Sequence, residues 1–143
     1  MPSFTSQIPD MKRVGPICTV KIGLSSIAAD VLSAKGEPVP APIDATALID
    51  TGASGTCIKP EIVKNLGLVP RGVVQIATPS SKAHPCNVFD VSLHFPHGVV
   101  VSTLQVIEAP LEGQNIQCLI GRDVLCQGIL IYSGYTNTFS LSF

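Results

Sequence analysis

ALIDTGASGTCI, residues 47–58, runs two apolar side chains, Leu48 and Ile49, directly into an ionisable Asp50. An aspartate at the inner end of an apolar strand is costly unless something pairs with it or uses it. Thr51 and Gly52 follow, a hydroxyl and a residue with no side chain, which suit a tight turn with close backbone approach. Two readings fit these residues. Asp50 is either a turn residue whose carboxylate accepts local backbone bonds, or a carboxylate kept for chemistry. The surroundings favour the second, because another apolar strand running into a glycine, IQCLIGRDVL, stands at 116–125.

Working outward, the 143 residues suit one domain, 1–143, with a core of its own. Apolar residues make up 45% and charged ones only 13%, with no Trp and with twelve each of Gly and Pro cutting the chain into short pieces. That profile predicts an all-β fold. The formal net charge is −1 and there is no run of Lys or Arg, so neither a nucleic-acid nor a membrane partner is expected. The opening residues lack the order of a secretory signal, which makes the cytoplasm the expected location. Five widely spaced cysteines without a C-x-x-C pair, and three histidines without ligand spacing, predict reduced thiols, no metal site and no cofactor.

Along the chain, residues 1–12 read as a polar, flexible terminus. ICTVKIGL, 17–24, alternates as a half-buried strand, and IAADVLSA, 27–34, is predicted to be a second strand. After the aspartate, KPEIVKNLGL at 59–68 is the best helix, with Pro60 in its first turn and Gly67 at its end. VVQIAT (73–78) and NVFDVSLHF (87–95) flank PSSKAHP and predict a long projecting hairpin. TFSLSF closes the chain, with Phe139, Leu141 and Phe143 alternating to the carboxyl end, a pattern that a partner surface would explain.

ALIDTGAS, the LIGRDVL motif at 119–125 and the hairpin between them resemble the retropepsin-like aspartic proteases, single-domain relatives of the retroviral enzymes. Ser54, where viral members usually carry an acid, makes the chain more similar to cellular and bacterial members. The resemblance implies a closed, all-β retropepsin-like fold with one short helix, near the carboxyl terminus or after the catalytic loop. It also implies that the chain is half of a two-fold symmetric dimer.

The chemistry agrees. Hydrolysing a peptide bond without a metal or a covalent intermediate needs a base to activate water and an acid for the leaving group. Two carboxylates held together cannot both ionise, and by sharing a proton they supply both roles. The chain has one D-T-G, and Asp44, on the same strand, cannot face Asp50 at contact distance. A second copy related by a two-fold axis is the expected source of the other carboxylate.

By resemblance, Asp50 is the catalytic residue, with Thr51 and Gly52 completing the active-site loop and Thr51 bonding across the axis. Substrate contacts fall to Ala53 and Ser54, to the hairpin tip (Ala77, Thr78, Pro79, Ser80 and Ser81), and to Leu119, Ile120 and Gly121. For the last three, plain core packing is an equal alternative. Ala53 offers no hydroxyl to the outer carboxylate oxygen, and activity is expected from mildly acidic to near-neutral pH. Arg122 lacks its usual acidic partner. The expected function is a homodimeric aspartic endopeptidase. The alternative is a dimerisation or peptide-binding module of the same fold with little turnover, a reading to which the glycine-free hairpin tip lends weight.

Overall fold

The structure, a computed structural model, describes residues 2–78 and 81–143. Ten strands form, in chain order, β1 (Ser3–Gln7), β2 (Ile17–Leu24), β3 (Ile43–Ile49), β4 (Cys57–Ile58), β5 (Gly72–Thr78), β6 (Ser81–His94), β7 (Val100–Glu108), β8 (Cys118–Ile120), β9 (Ile129–Ser133) and β10 (Thr138–Ser142). Helices are short: α1 (Met11–Val14), α2 (Ser26–Ala34), α3 (Pro60–Leu66) and α4 (Arg122–Leu125), with a 3-10 turn at Pro96–Gly98.

The larger sheet runs β2-β3-β8-β4-β7-β6-β5, and β2 also pairs with β6. That extra pairing closes the sheet on itself, as the resemblance implies, and leaves β5 outside the ring. Alternation decides which side chains fill the ring. Val20 and Ile22 of β2, Ala45, Ala47 and Ile49 of β3, Val91 and Leu93 of β6, and Cys118 and Ile120 of β8 are all buried. Pairing of β3 with β8 is parallel, with Ala47, Leu48 and Ile49 opposite Cys118, Leu119 and Ile120. The two sequence motifs therefore emerge side by side from neighbouring strand ends.

A second sheet, β1-β10-β9, packs Phe4, Phe139 and Leu141 inward. Phe4 stacks on Phe95 with ring centroids 5.7 Å apart and meets Phe139 edge-on at 6.0 Å. This corrects two expectations. Residues 3–7 are a paired strand rather than a flexible terminus, and the alternating carboxyl end is covered by its own chain. One buried residue in five, Phe4, is too faint a pattern to mark β1 in sequence.

The third correction is α2. Residues 27–34 were expected as a strand, but Ser25 caps a helix by accepting from the Ala28 N–H at 3.2 Å, and three alanines favour helix in the run that follows. No residue of α2 is buried, so it lies on the outside of the ring. The helix expected after the Asp50 loop is present as α3, with Pro60 at its start and Gly67 at φ 63° closing it. The expected hairpin is β5–β6. Its second strand begins at Ser81, earlier than the sequence pattern placed it.

Candidate active site

Asp50 directly follows β3, and its backbone N–H donates to the Ile120 carbonyl at 2.9 Å, extending the parallel ladder by one rung. The chain then turns. The Gly52 N–H donates to Asp50 Oδ1 at 2.8 Å, so the loop itself holds one carboxylate oxygen while Asp50 stays half-exposed. Thr51, Gly52 and Ser54 are exposed and Ala53 is half-buried. A charged group at this depth, with one oxygen fixed by a backbone donor, can present its other oxygen to a reacting water.

What keeps the loop in place comes from the second motif. The N–H groups of Arg122 and Asp123, at the start of α4, donate to the carbonyls of Ala53 (2.9 Å) and Ser54 (3.2 Å). A helix start with unspent donors thus meets a loop with unspent acceptors, and each satisfies the other. Arg122 Nη1 donates to the Thr51 carbonyl at 2.7 Å, which is the partner that sequence left open for this arginine.

Gly121 is required by space. A Cβ built on it would lie 2.5 Å from the Gly55 carbonyl oxygen, so the two backbones touch where any side chain would part them. Of the three residues expected along the substrate, Ile120 has no exposed surface and packs in the core, Gly121 is buried, and Leu119 keeps some accessible surface.

Thr56 and Asp123 were not given roles from sequence. Thr56 is 1% exposed. Its N–H and hydroxyl donate to the two carboxylate oxygens of Asp123 at 3.0 and 2.8 Å, and its Oγ1 accepts from the Gly121 N–H at 3.2 Å. Asp123 also accepts from the Val124 N–H at 2.9 Å. A hydroxyl between a glycine and an apolar strand, in GTCI, was the available signal, since a buried hydroxyl needs a partner. The partner, 67 positions away, was not readable. These bonds also commit the Asp123 carboxylate, while Asp44 faces Lys21 at 3.6 Å. Asp123 is thus committed, and Asp44, six residues back on β3, lies too far along the strand to meet Asp50.

Cys57, next to Thr56, has its thiol pushed up by burial, and secondarily by the negative charges of Asp123, Cys86 and Asp50. It stays protonated near neutrality. Beside β3 a cavity of about 500 Å³ is lined by Arg13, Val14, Ile17, Leu48 and residues 113–116. Among the described residues no hydrogen bond joins the hairpin tip to the Asp50 loop. Ala77 is exposed near the end of β5, Thr78 and Ser81 form the last rung, and Pro79 and Ser80 lie outside the described residues. No cluster of metal-ligating side chains occurs among the described residues.

A family model of aspartyl proteases matches residues 31–124, taking in the first motif, the hairpin and all but the last residue of the second motif. The chain belongs to the aspartyl protease family. Among solved structures, it is similar to a retropepsin-like aspartic protease from Rickettsia conorii, with a TM-score of 0.58 at 12% identity, covering 97% of this chain and 89% of that one. It also matches the retroviral protease-like domain of Ddi1 from Leishmania major, at a TM-score of 0.48 and 13% identity over 89% of each chain. No curated protein matches it. At 12% identity the likeness to the Rickettsia structure shows the retropepsin-like fold alone, and the chemistry has to be argued from this chain's own residues.

Proposed function

We propose that this aspartyl protease is an endopeptidase whose active site is assembled from the Asp50 residues of two identical chains. The observation that carries the reading is the state of the carboxylates. Asp50 is half-exposed beside a backbone-fixed loop, and neither neighbouring acid can serve it: Asp44 lies six residues back along the same strand, and the Asp123 carboxylate is taken up by Thr56 and Val124. A two-fold axis through the loop would bring Asp50 against its mate. The pair would share one proton, one carboxylate drawing a proton from water while the other protonates the leaving amine. Thr51 and Gly52 hold the carboxylates, and Ala53, Ser54 and Leu119 border the peptide. The cavity beside Leu48 is of a size to take a substrate side chain.

The place where the two chains would join is also suggested. β1 occupies one edge of the three-stranded sheet and β9 the other. Strand β9, ILIYS, carries no charge, and Ile129 and Ile131 are 55% and 60% exposed. An uncharged apolar edge is an invitation to strand pairing. It follows α4, whose Arg122 holds the Thr51 carbonyl, so pairing at β9 would be felt at the catalytic loop. The hairpin arm β5–β6 would lie over the bound peptide.

A diverse peptide pool incubated across pH with wild type and with Asp50→Asn tests the proposal. Cleavage by wild type alone supports it. Peptide binding without cleavage by either protein would favour a binding module instead.

A further inference from the structure

The hairpin arm has an unusual attachment. β5 pairs with β6 and with no other strand, while β6 gains its next partners only at Val88, where β7 joins, and at Val91, where β2 joins. Beyond Val88, therefore, the arm is a two-stranded ribbon, with Val73 59% and Val74 37% exposed. Such a ribbon is marginally stable by itself, so its direction has to be set at its root.

The root carries two bonds between the same two segments. The Arg71 N–H donates to the Val88 carbonyl at 2.7 Å, and Arg71 Nη1 donates to Asp90 Oδ2 at 2.5 Å. Phe89 and Val91, on either side of Asp90, are 2% and 1% exposed, so the core fixes the aspartate's backbone. Arg71, by contrast, precedes the first residue of the arm. The guanidinium thus ties the moving element to the fixed one.

The surroundings strengthen the tie. The Asp90 side chain is 25% exposed and that of Arg71 64%, whereas in the other ion pairs among the described residues both side chains are more than half exposed. Arg71 and Asp90 sit at a groove of about 450 Å³ whose walls include Leu24, Val31, Leu68 and Val69, between α2 and the segment 67–71 that leads into the arm. The part-buried carboxylate is screened by water less fully than one on an open surface.

We infer that Arg71 and Asp90 form the hinge latch of the arm, positioning it over the substrate without touching the reacting atoms. The positioning role rests on the proposed peptidase function, whereas the latch itself does not. Both are tested on the full chain with Asp90→Asn, Arg71→Gln and the charge swap Arg71→Asp with Asp90→Arg. Amide hydrogen exchange reads the arm directly, without any need for activity. Each single substitution is expected to speed exchange in residues 73–78 and 82–87 about three- to tenfold, leaving β2, β3 and β8 unchanged, and the swap is expected to restore protection. With a cleaved peptide, KM should rise by a similar factor while kcat stays within about twofold. Raising salt should shrink the difference between wild type and Asp90→Asn.

Unchanged exchange in the arm, faster exchange everywhere, or a swap that fails to restore protection would overturn the latch. Faster exchange with an unchanged KM would overturn the positioning role. A wild type that cleaves nothing would remove the peptidase reading and the positioning role with it, while the exchange result would still decide the latch.

Discussion

The loop around Asp50 is held by Gly121, Arg122 and Asp123 of the second motif, with Ile120 and Ile49 packed beneath it in the core. The β5–β6 arm has no partner strand but itself until it reaches Val88, and most of its side chains face water. Both belong to the stretch matched by the aspartyl protease model. The difference suits the proposed function. There, a carboxylate that meets its mate within a hydrogen-bond length tolerates little play, whereas a ribbon that admits and covers a peptide has to move. Stability in this molecule is accordingly concentrated around the loop and thin along the arm.

The sharpest test of that contrast separates chemistry from stability. Asp50→Asn keeps an acceptor for the Gly52 N–H, so peptide cleavage should fall at least about a thousandfold while the urea midpoint stays put. A large drop in stability would mean that Asp50 is structural. Next comes a matched pair of truncations. Ile120→Ala, at a fully buried site, should cost about 2–5 kcal/mol, and Val73→Ala, in the arm, less than about 0.5 kcal/mol. Similar costs for the two would erase the distinction.

Within the loop region, Thr56→Val removes the hydroxyl shared by Asp123 and Gly121. It should destabilise the chain by about 1–3 kcal/mol in chemical denaturation, with a matching loss of activity. A last test concerns the thiols of the same core. Burial pushes Cys18 from the ordinary value of 9.0 up to about 12, and it pushes Cys118 upward as well. The native state then keeps protons that the unfolded chain gives up above pH 9. This contribution is complete below that pH and is lost as pH rises toward 12, by on the order of 1 kcal/mol per pH unit per thiol. Urea midpoints at pH 8 and 10 check it, and replacing both cysteines with alanine should flatten the slope.

How much of this was legible in the sequence depended on range. ALIDTG and LIGRDVL could be read because each packs its signal, an apolar strand and a glycine turn, into a few neighbouring residues. The hairpin was legible for the same reason. What escaped notice was settled by distant partners: β1 is a strand because β10 lies beside it, and Phe139 and Leu141 need no second chain because Phe4 covers them. The helix α2 does carry a local signal, the Ser25 cap, but its apolar residues also fit a short strand. The pairing of Thr56 with Asp123, like the reach of Arg122 to Thr51, joins segments that only the parallel β3–β8 ladder brings together.

The most direct measurement mixes chains. Wild type and Asp50→Asn, combined in varying ratio at constant total concentration and allowed to exchange partners, will form hybrids holding one carboxylate. If each active site takes Asp50 from both chains, activity falls as the square of the wild-type fraction. Activity falling in simple proportion to that fraction would mean that one chain suffices, and would contradict the shared site.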